Sequence, residues 1–204
     1  MFINFDWIHI YVGLVLLGIV LIFLGQKNKS VSYLFFFVIF WIYMMAVVSA
    51  IVFPFYVPEN FSEFSNKLNI NLVPFDFGSC FDNLPALCFR SIYENILLTI
   101  PFGFGISFIA RINPKRIAWL AISVGLTFEV AQLVIALIVH ASFRAVDIND
   151  VILNATGVLL GYGFFRVFGW LYLYITDRLE IRHKYIFAYI YDVVRNQNLI
   201  TGSY

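Results

Sequence analysis

A chain of 204 residues that is 62% hydrophobic and 12% charged, with a mean hydropathy of +0.88, is far more apolar than a soluble domain. Soluble domains are roughly half apolar and about a quarter charged, so the composition excludes a water-soluble globule and requires an integral membrane protein. The net charge of +1, with basic residues spread along loops, excludes the clustered basic footprint that nucleic-acid binding needs.

Apolar runs of roughly 18 residues or more read as membrane spans. They occur at Trp7 to Leu24, Val31 to Phe53, Ser91 to Ala110, Ile117 to Val139 and Val151 to Leu171. The sequence therefore predicts an all-α polytopic membrane protein, with residues 1–204 forming a single membrane domain of about five transmembrane helices. No Lys or Arg precedes the first run and no small-residue cleavage site follows it, which favours a retained span over a signal peptide. Ten of the 13 Lys and Arg lie on one side: Lys27, Lys29, Arg111, Lys115, Arg116, Arg166, Arg178, Arg182, Lys184 and Arg195. The other side has Lys67, Arg90 and Arg144 among Glu59, Glu63, Asp76, Asp82, Glu94, Asp147 and Asp150. The expected topology places the N-terminus outside and the C-terminus in the cytoplasm.

The first two spans read as scaffold, with Trp7, Tyr11, Tyr33 and Trp41 as interface or packing aromatics. His9 has no second His or Cys at helical spacing and is given no role. Residues 54–90 form the expected extracytoplasmic loop. Phe55, Tyr56, Phe61, Phe64, Phe75, Phe77, Phe81 and Phe89 give it more aromatic surface than a disordered linker carries, which fits a cap on the outer face or a loop hugging the headgroups. Asn71-Leu-Val-Pro-Phe75 is a stretch able to dip back into the protein. Cys80 and Cys88 fall in this loop, where a disulfide is chemically permitted, but their spacing leaves the bridge open. No metal or cofactor is expected, since a two-cysteine zinc site would lack its other ligands.

The third span carries Glu94 and Asn95 in its outer turn and Pro101 and Gly103 at its middle. Pro101 cannot donate to the carbonyl four residues back, at Leu97, so a kink is expected, serving packing or exposing a carbonyl to a site. In the fourth span Glu129 stands ten residues from Val139, about 15 Å deep at about 1.5 Å per residue, near the midplane. A carboxylate there is either protonated or paired with donors, and Gln132, one turn further out, is such a donor.

The stretch from Phe143 to Gly161 places Arg144, Asp147, Asp150 and Asn154 against the last apolar run. A helix through it sets Asp147, Asp150, Asn154, Gly157 and Gly161 at three- and four-residue spacings on one face. Polar groups entering hydrocarbon cost several kcal/mol if unpaired, so that face is expected to meet protein or a watery cavity. Gly157 and Gly161 form a small-xxx-small packing surface whose partner the sequence does not identify. Depth counting puts Arg144, Asp147 and Asp150 at a mouth, Asn95, Asn154 and Gln132 below it, and Glu129 with Pro101 lower still, a polar funnel open to the outside. Residues 172–204 read as a cytoplasmic interfacial tail: charged residues interrupt it, and aromatics from Tyr185 to Tyr191 suit a helix on the anionic leaflet.

Asn71-Leu-Val-Pro-Phe75, Asn95 with Pro101-Phe-Gly103, Glu129 with Gln132, and Arg144, Asp147, Asp150, Asn154, Gly157 and Gly161 together resemble the VanZ family of bacterial membrane proteins over about residues 68–169. The resemblance implies a multi-pass protein of the bacterial cell membrane linked to teicoplanin resistance. Three functions follow as alternatives. A groove binds a lipid-bearing molecule, either a lipoglycopeptide or a lipid-linked wall precursor; an intramembrane enzyme uses Glu129, Asp147 or Asp150 as acid or base, with Arg144 on a phosphate; or the chain is a small transporter. No internal repeat supports transport and no nucleophile-base pair supports catalysis, so binding is preferred, with membrane lipids as partners.

Overall fold

The computed structural model describes residues 2–57, 70–78, 80–139 and 146–201. Arg144, and with it Glu59, Glu63 and Lys67, lies outside the described residues.

Five helices are long and apolar enough to cross a membrane: α1 (Trp7–Gln26), α2 (Val31–Val52), α4 (Pro85–Ile109), α5 (Ile117–Val139) and α6 (Ile148–Arg178). Four of them, α1, α2, α4 and α6, begin where the sequence supplies a start signal. Asp6 caps α1 by accepting from the Ile8 amide at 3.3 Å, while His9 Nδ1 accepts from the Asp6 amide at 3.3 Å. His9 is thus the reciprocal partner of a capping box, stacks on Phe5 and meets Phe53 edge-on. Ser30 caps α2 through the Tyr33 amide at 3.2 Å, Pro85 opens α4, and Asp147 caps α6 through the Asn149 amide at 2.8 Å.

Two boundaries differ from the sequence reading. Helix α4 starts at Pro85 rather than Ser91, because proline at a first helical position needs no amide partner and Arg90 and Glu94 pair across one turn at 2.6 Å. Helix α6 continues past Leu171 to Arg178, because no charge, Gly or Pro interrupts residues 171–176 and the helix stops only at Asp177 and Arg178.

Small residues decide how the bundle packs. Helices α4 and α6 run parallel, and the backbones touch where side chains are absent. Gly157 lies against the Ile96 carbonyl and Thr99, Gly161 against the Ile100 carbonyl, and Gly103 of α4 against the Val158 carbonyl. Gly125 of α5 meets the Val151 backbone. Around these approaches, Ala121 and Val158 are fully buried between α5 and α6. At the Lys/Arg-rich end Phe108, Phe165 and Val194 form a second core, on which Phe36 stacks. Helix α1 is peripheral and is tied to α2 by Trp41 Nε1 donating to the Gly13 carbonyl at 3.1 Å.

The tail packs onto the bundle. Helix α7 (Ile186–Thr201) buries Val194 against Gly169, and Gln197 Nε2 donates to the Ala110 carbonyl at 3.1 Å. The Tyr189 hydroxyl donates to the Phe108 carbonyl, so α7 satisfies carbonyls that the end of α4 leaves open.

The opposite end holds the short elements. Strand β1 (Phe2–Ile3) pairs antiparallel with β2 (Phe55–Tyr56), and β3 (Ile70–Asn71) pairs parallel with β4 (Val146–Asp147). A one-turn helix α3 (Cys80–Asn83) precedes α4, and Cys80 is disulfide-bonded to Cys88 with Cα atoms 5.9 Å apart. A loop this short contributes on the order of 2.5 kcal/mol by chain entropy. Replacing both cysteines by serine is therefore expected to lower stability by about 2 to 3 kcal/mol, read as a fall in the thermal midpoint in detergent.

Candidate ligand-binding site

The polar residues singled out in the sequence converge at the β3–β4 end, held by strands that enter the bundle. The Asp147 amide donates to Glu129 Oε2 at 2.9 Å. Since Glu129 is ten residues below the end of α5, about 15 Å of helix rise, β4 lies well inside that end. This corrects the depth ladder: Asp147 stands level with Glu129, not above it at a mouth. The reason is that β4, paired with β3, packs alongside α5 before α6 begins.

Non-helical backbone at membrane depth persists only where protein or a wet cavity satisfies it. Two asparagines do this work. Asn71 Nδ2 donates to both Asp147 carboxylate oxygens at 3.2 Å and to the Asp76 carbonyl at 2.8 Å, while its Oδ1 accepts from the Val73 amide at 3.1 Å. Asn149, only 2% exposed, accepts from the Phe75 amide at 2.6 Å and donates to the Asp76 carbonyl at 2.8 Å. The turn they straddle holds Phe75 at a φ of 63°, a left-handed conformation that a bulky residue keeps only when its surroundings impose it. Asn71 and Asn149 thus tie the Asn71 to Phe75 stretch to the start of α6, while Leu72, Val73 and Phe75 stay exposed.

One turn along, Asn95 Nδ2 donates to Asp150 Oδ1 at 2.6 Å, and Asn154 Nδ2 to the Asp150 carbonyl at 2.8 Å. Thr99 Oγ1 donates to the Asn154 carbonyl at 2.8 Å, closing the seam above Gly157. Asp150, Asn154, Gly157 and Gly161 therefore form one face of α6, and it meets α4. Pro101 leaves α4 continuous, and the Tyr43 hydroxyl donates to the Leu98 carbonyl at 2.6 Å just before it.

Two adjoining cavities follow from this framework. The outer one, about 450 Å³, is lined by Arg90, Glu94, Asn95, Gln132, Asp147, Asn149 and Asp150, and the Cys80–Cys88 bridge walls one side. The deeper one, about 510 Å³, shares Glu94, Asn95 and Gln132 and adds Glu129 and Asn154 against Ile51, Leu97, Leu98 and Phe128. Both cavities mix polar and apolar walls: Phe77, Leu87, Ile92 and Leu153 also line the outer one. Asn154 Oδ1 is buried with no hydrogen-bond partner. Among the described residues, no three His, Cys, Asp or Glu side chains converge to hold a metal ion.

Six of the seven candidate ligand residues named from sequence, Asn95, Glu129, Gln132, Asp147, Asp150 and Asn154, line one or both cavities. The cation that the described residues bring to the entrance is Arg90, which the sequence reading passed over as a loop charge. Asn71, Thr99 and Asn149 were also missed as site residues. For Asn149 the available signal was a third polar side chain in the first turn of an apolar helix, between Asp147 and Asp150.

Fold and cavities define a class: a small polytopic membrane protein of five spans, with two short strand pairs at one end and two adjoining cavities lined by polar and apolar groups. A family model described as VanZ/LLP1 matches residues 40–170. The chain belongs to the VanZ/LLP1 family and is a multi-pass protein of the bacterial membrane. The match starts well before Leu68, which agrees with the packing: Tyr43, Val47 and Ile51 of α2 sit against the core or line the deeper cavity. Comparison with curated proteins and with solved structures gave no match.

Proposed function

We propose that the protein binds an amphiphilic, lipid-bearing molecule in the two adjoining cavities, open to the outside of the cell, and thereby lowers susceptibility to teicoplanin-type lipoglycopeptides. The carrying observation is that two adjoining cavities offer polar and apolar walls side by side. Arg90, Asp147 and Asp150 of the first cavity suit a head group, and Leu97, Leu98 and Phe128 of the adjoining one suit an acyl chain. Asn154 Oδ1 offers such a ligand an unused acceptor, and unsatisfied buried acceptors are rare enough to favour a partner. The ligand class is a lipoglycopeptide acyl tail or a wall-precursor lipid.

An intramembrane enzyme is less well supported, because the carboxylates already serve the fold. Glu129 accepts from the Asp147 amide, Asp147 from Asn149 and Asn71, and Asp150 from Asn95. Transport has no repeat to support it.

Native mass spectrometry of the protein taken from its own membranes tests the reading. A retained acyl-bearing adduct, lost in Leu97→Trp at normal protein level, is the expected result; Leu97 is 57% exposed, so the larger ring fills the cavity without disturbing the core. An adduct unchanged by Leu97→Trp, or teicoplanin susceptibility unchanged by it, would sink the proposal. Glu129→Gln keeps shape and an acceptor for the Asp147 amide, so folding should survive and only a ligand that senses the charge should be lost.

The proposed orientation has its own check. Lys and Arg cluster at the α7 end, and the disulfide at the other end suits an oxidising exterior. A single added thiol in Val73→Cys should react with a membrane-impermeant reagent on whole cells, and a reporter after Tyr204 should be active in the cytoplasm. The reverse pattern would invert the assignment.

A further inference from the structure

A third cavity, of about 520 Å³, lies at the Lys/Arg-rich end between α4 and α7, far from the cavities described above. Lys29 and Arg111 line it, along with Asp192 of α7. Among the described residues neither cation meets a carboxylate; Lys29 rests over the Tyr33 ring at 4.9 Å. Its inner wall carries Ser107 and Gln197, each 2% exposed, and Ser107 Oγ and Gln197 Oε1 have no hydrogen-bond partner. Gln197 is oriented by its own amide nitrogen, which is spent on the Ala110 carbonyl, so its free oxygen is fixed as an acceptor. Burial, with the nearby Tyr33 phenol adding to it, pushes the Tyr189 hydroxyl up to about 12, so that ring keeps its proton and stays neutral in the wall.

We infer that this cavity binds the headgroup of an anionic glycerophospholipid whose headgroup also carries hydroxyls, the phosphatidylglycerol class. The chemistry divides between the walls. Two cations and the Ser107 hydroxyl present donors to a phosphodiester, and one carboxylate against two cations leaves a local charge of about +1, matching a single negative phosphodiester. Asp192 and Gln197 Oε1 are acceptors that a bare phosphate cannot satisfy and headgroup hydroxyls can. Phe108, Ile109 and Val193 line the same space as apolar surface for the glycerol backbone and the first methylenes. The site also stitches α7 to α4, so an occupied cavity holds the tail against the bundle.

The test uses the full-length protein in a zwitterionic detergent. Its thermal midpoint and its native mass spectrum are measured with dioctanoyl phosphatidylglycerol, dioctanoyl phosphatidylcholine and glycerol 3-phosphate. Phosphatidylglycerol is expected to raise the midpoint and to give a one-lipid adduct, with the other two probes weak. The Lys29→Gln/Arg111→Gln double variant, altered at two exposed positions, is expected to fold and to lose affinity by about tenfold or more per cation. Ser107→Ala should weaken the lipid response while leaving the lipid-free midpoint equal or higher, since it deletes an unpaired hydroxyl. An equal response to phosphatidylcholine, or an adduct kept by the double variant, overturns the site. An equal response to glycerol 3-phosphate overturns the lipid assignment and leaves a soluble-anion site. Because Leu97→Trp lies at the other end, an adduct lost in that variant but kept in the double variant belongs to the outer cavities, which separates the two proposals.

Discussion

Gly161→Ala should destabilise the folded protein by about 1 to 3 kcal/mol and Gly161→Val should abolish the native bundle, while Gly163→Ala, two residues along the same helix, should be neutral or mildly stabilising. The signs differ because the surroundings differ. A Cβ at Gly161 meets the Ile100 carbonyl and the Phe104 amide, both backbone, which cannot swing aside as a side chain can. A Cβ at Gly163 has nothing within 4 Å, so only the helix-propensity gain of alanine remains, up to about 1 kcal/mol. Gly103→Ala is expected to behave like Gly161→Ala, since its Cβ meets the Val158 carbonyl from the opposite helix. Because the two glycines relieve the same interface, α4 against α6, their effects should not add. The measurement is the thermal midpoint in detergent together with yield from membranes. If Gly161→Ala melts with Gly163→Ala, the close approach of α4 and α6 is not what holds the bundle together.

The same interface shows what a sequence can and cannot carry. The face bearing Asp150, Asn154, Gly157 and Gly161 was legible because helical spacing is a local property, and a polar, then small, face cannot point at lipid. Its partner was not legible, because small residues specify that something comes close and not which helix does. Only Gly103 on α4, facing Val158, decides it. The five spans were readable from length and hydropathy, but α6 overran its forecast end because span length says where hydrocarbon ends and not where the helix does, and nothing breaks the helix before Asp177 and Arg178. The depth of Asp147 failed for a different reason. It depends on a parallel pair between residues 70–71 and 146–147, and a two-residue strand leaves no periodicity to find. Arg90 was misread because the loop was taken to reach it, whereas α4 already includes it and turns it toward the entrance. The packing of α7 also lay beyond the sequence, since its aromatics fit a leaflet and a protein groove equally well.

Asn149 gives the second large effect, and isosteric exchange is the way to see it. Asn149→Asp preserves volume and the oxygen that accepts from the Phe75 amide, so no cavity opens and that bond survives. What changes is the other half of the side chain: a donor to the Asp76 carbonyl becomes a carboxylate oxygen facing it, and the Asp147 carboxylate already sits against the Asn149 amide. Two like-charged carboxylates and a carbonyl then converge at a 2% exposed position, where no bulk water screens them. Asn149→Ala is gentler. It strands the Phe75 amide, at about 1 to 3 kcal/mol, but the Asp76 carbonyl keeps Asn71 as a donor. The expected order of stability is therefore wild type, then Asn149→Ala, then Asn149→Asp, with the last more than about 2 kcal/mol below wild type. Since this clamp holds the Asn71 to Phe75 turn beside Asp147, both variants should also lose the acyl-bearing adduct of the outer cavities at temperatures where the helices remain folded. Midpoints by circular dichroism and adduct retention by native mass spectrometry, taken on the same samples, read the two effects apart. An Asn149→Asp protein that melts with wild type and keeps its adduct would mean that the strand pair, rather than the asparagine clamp, holds the turn in place.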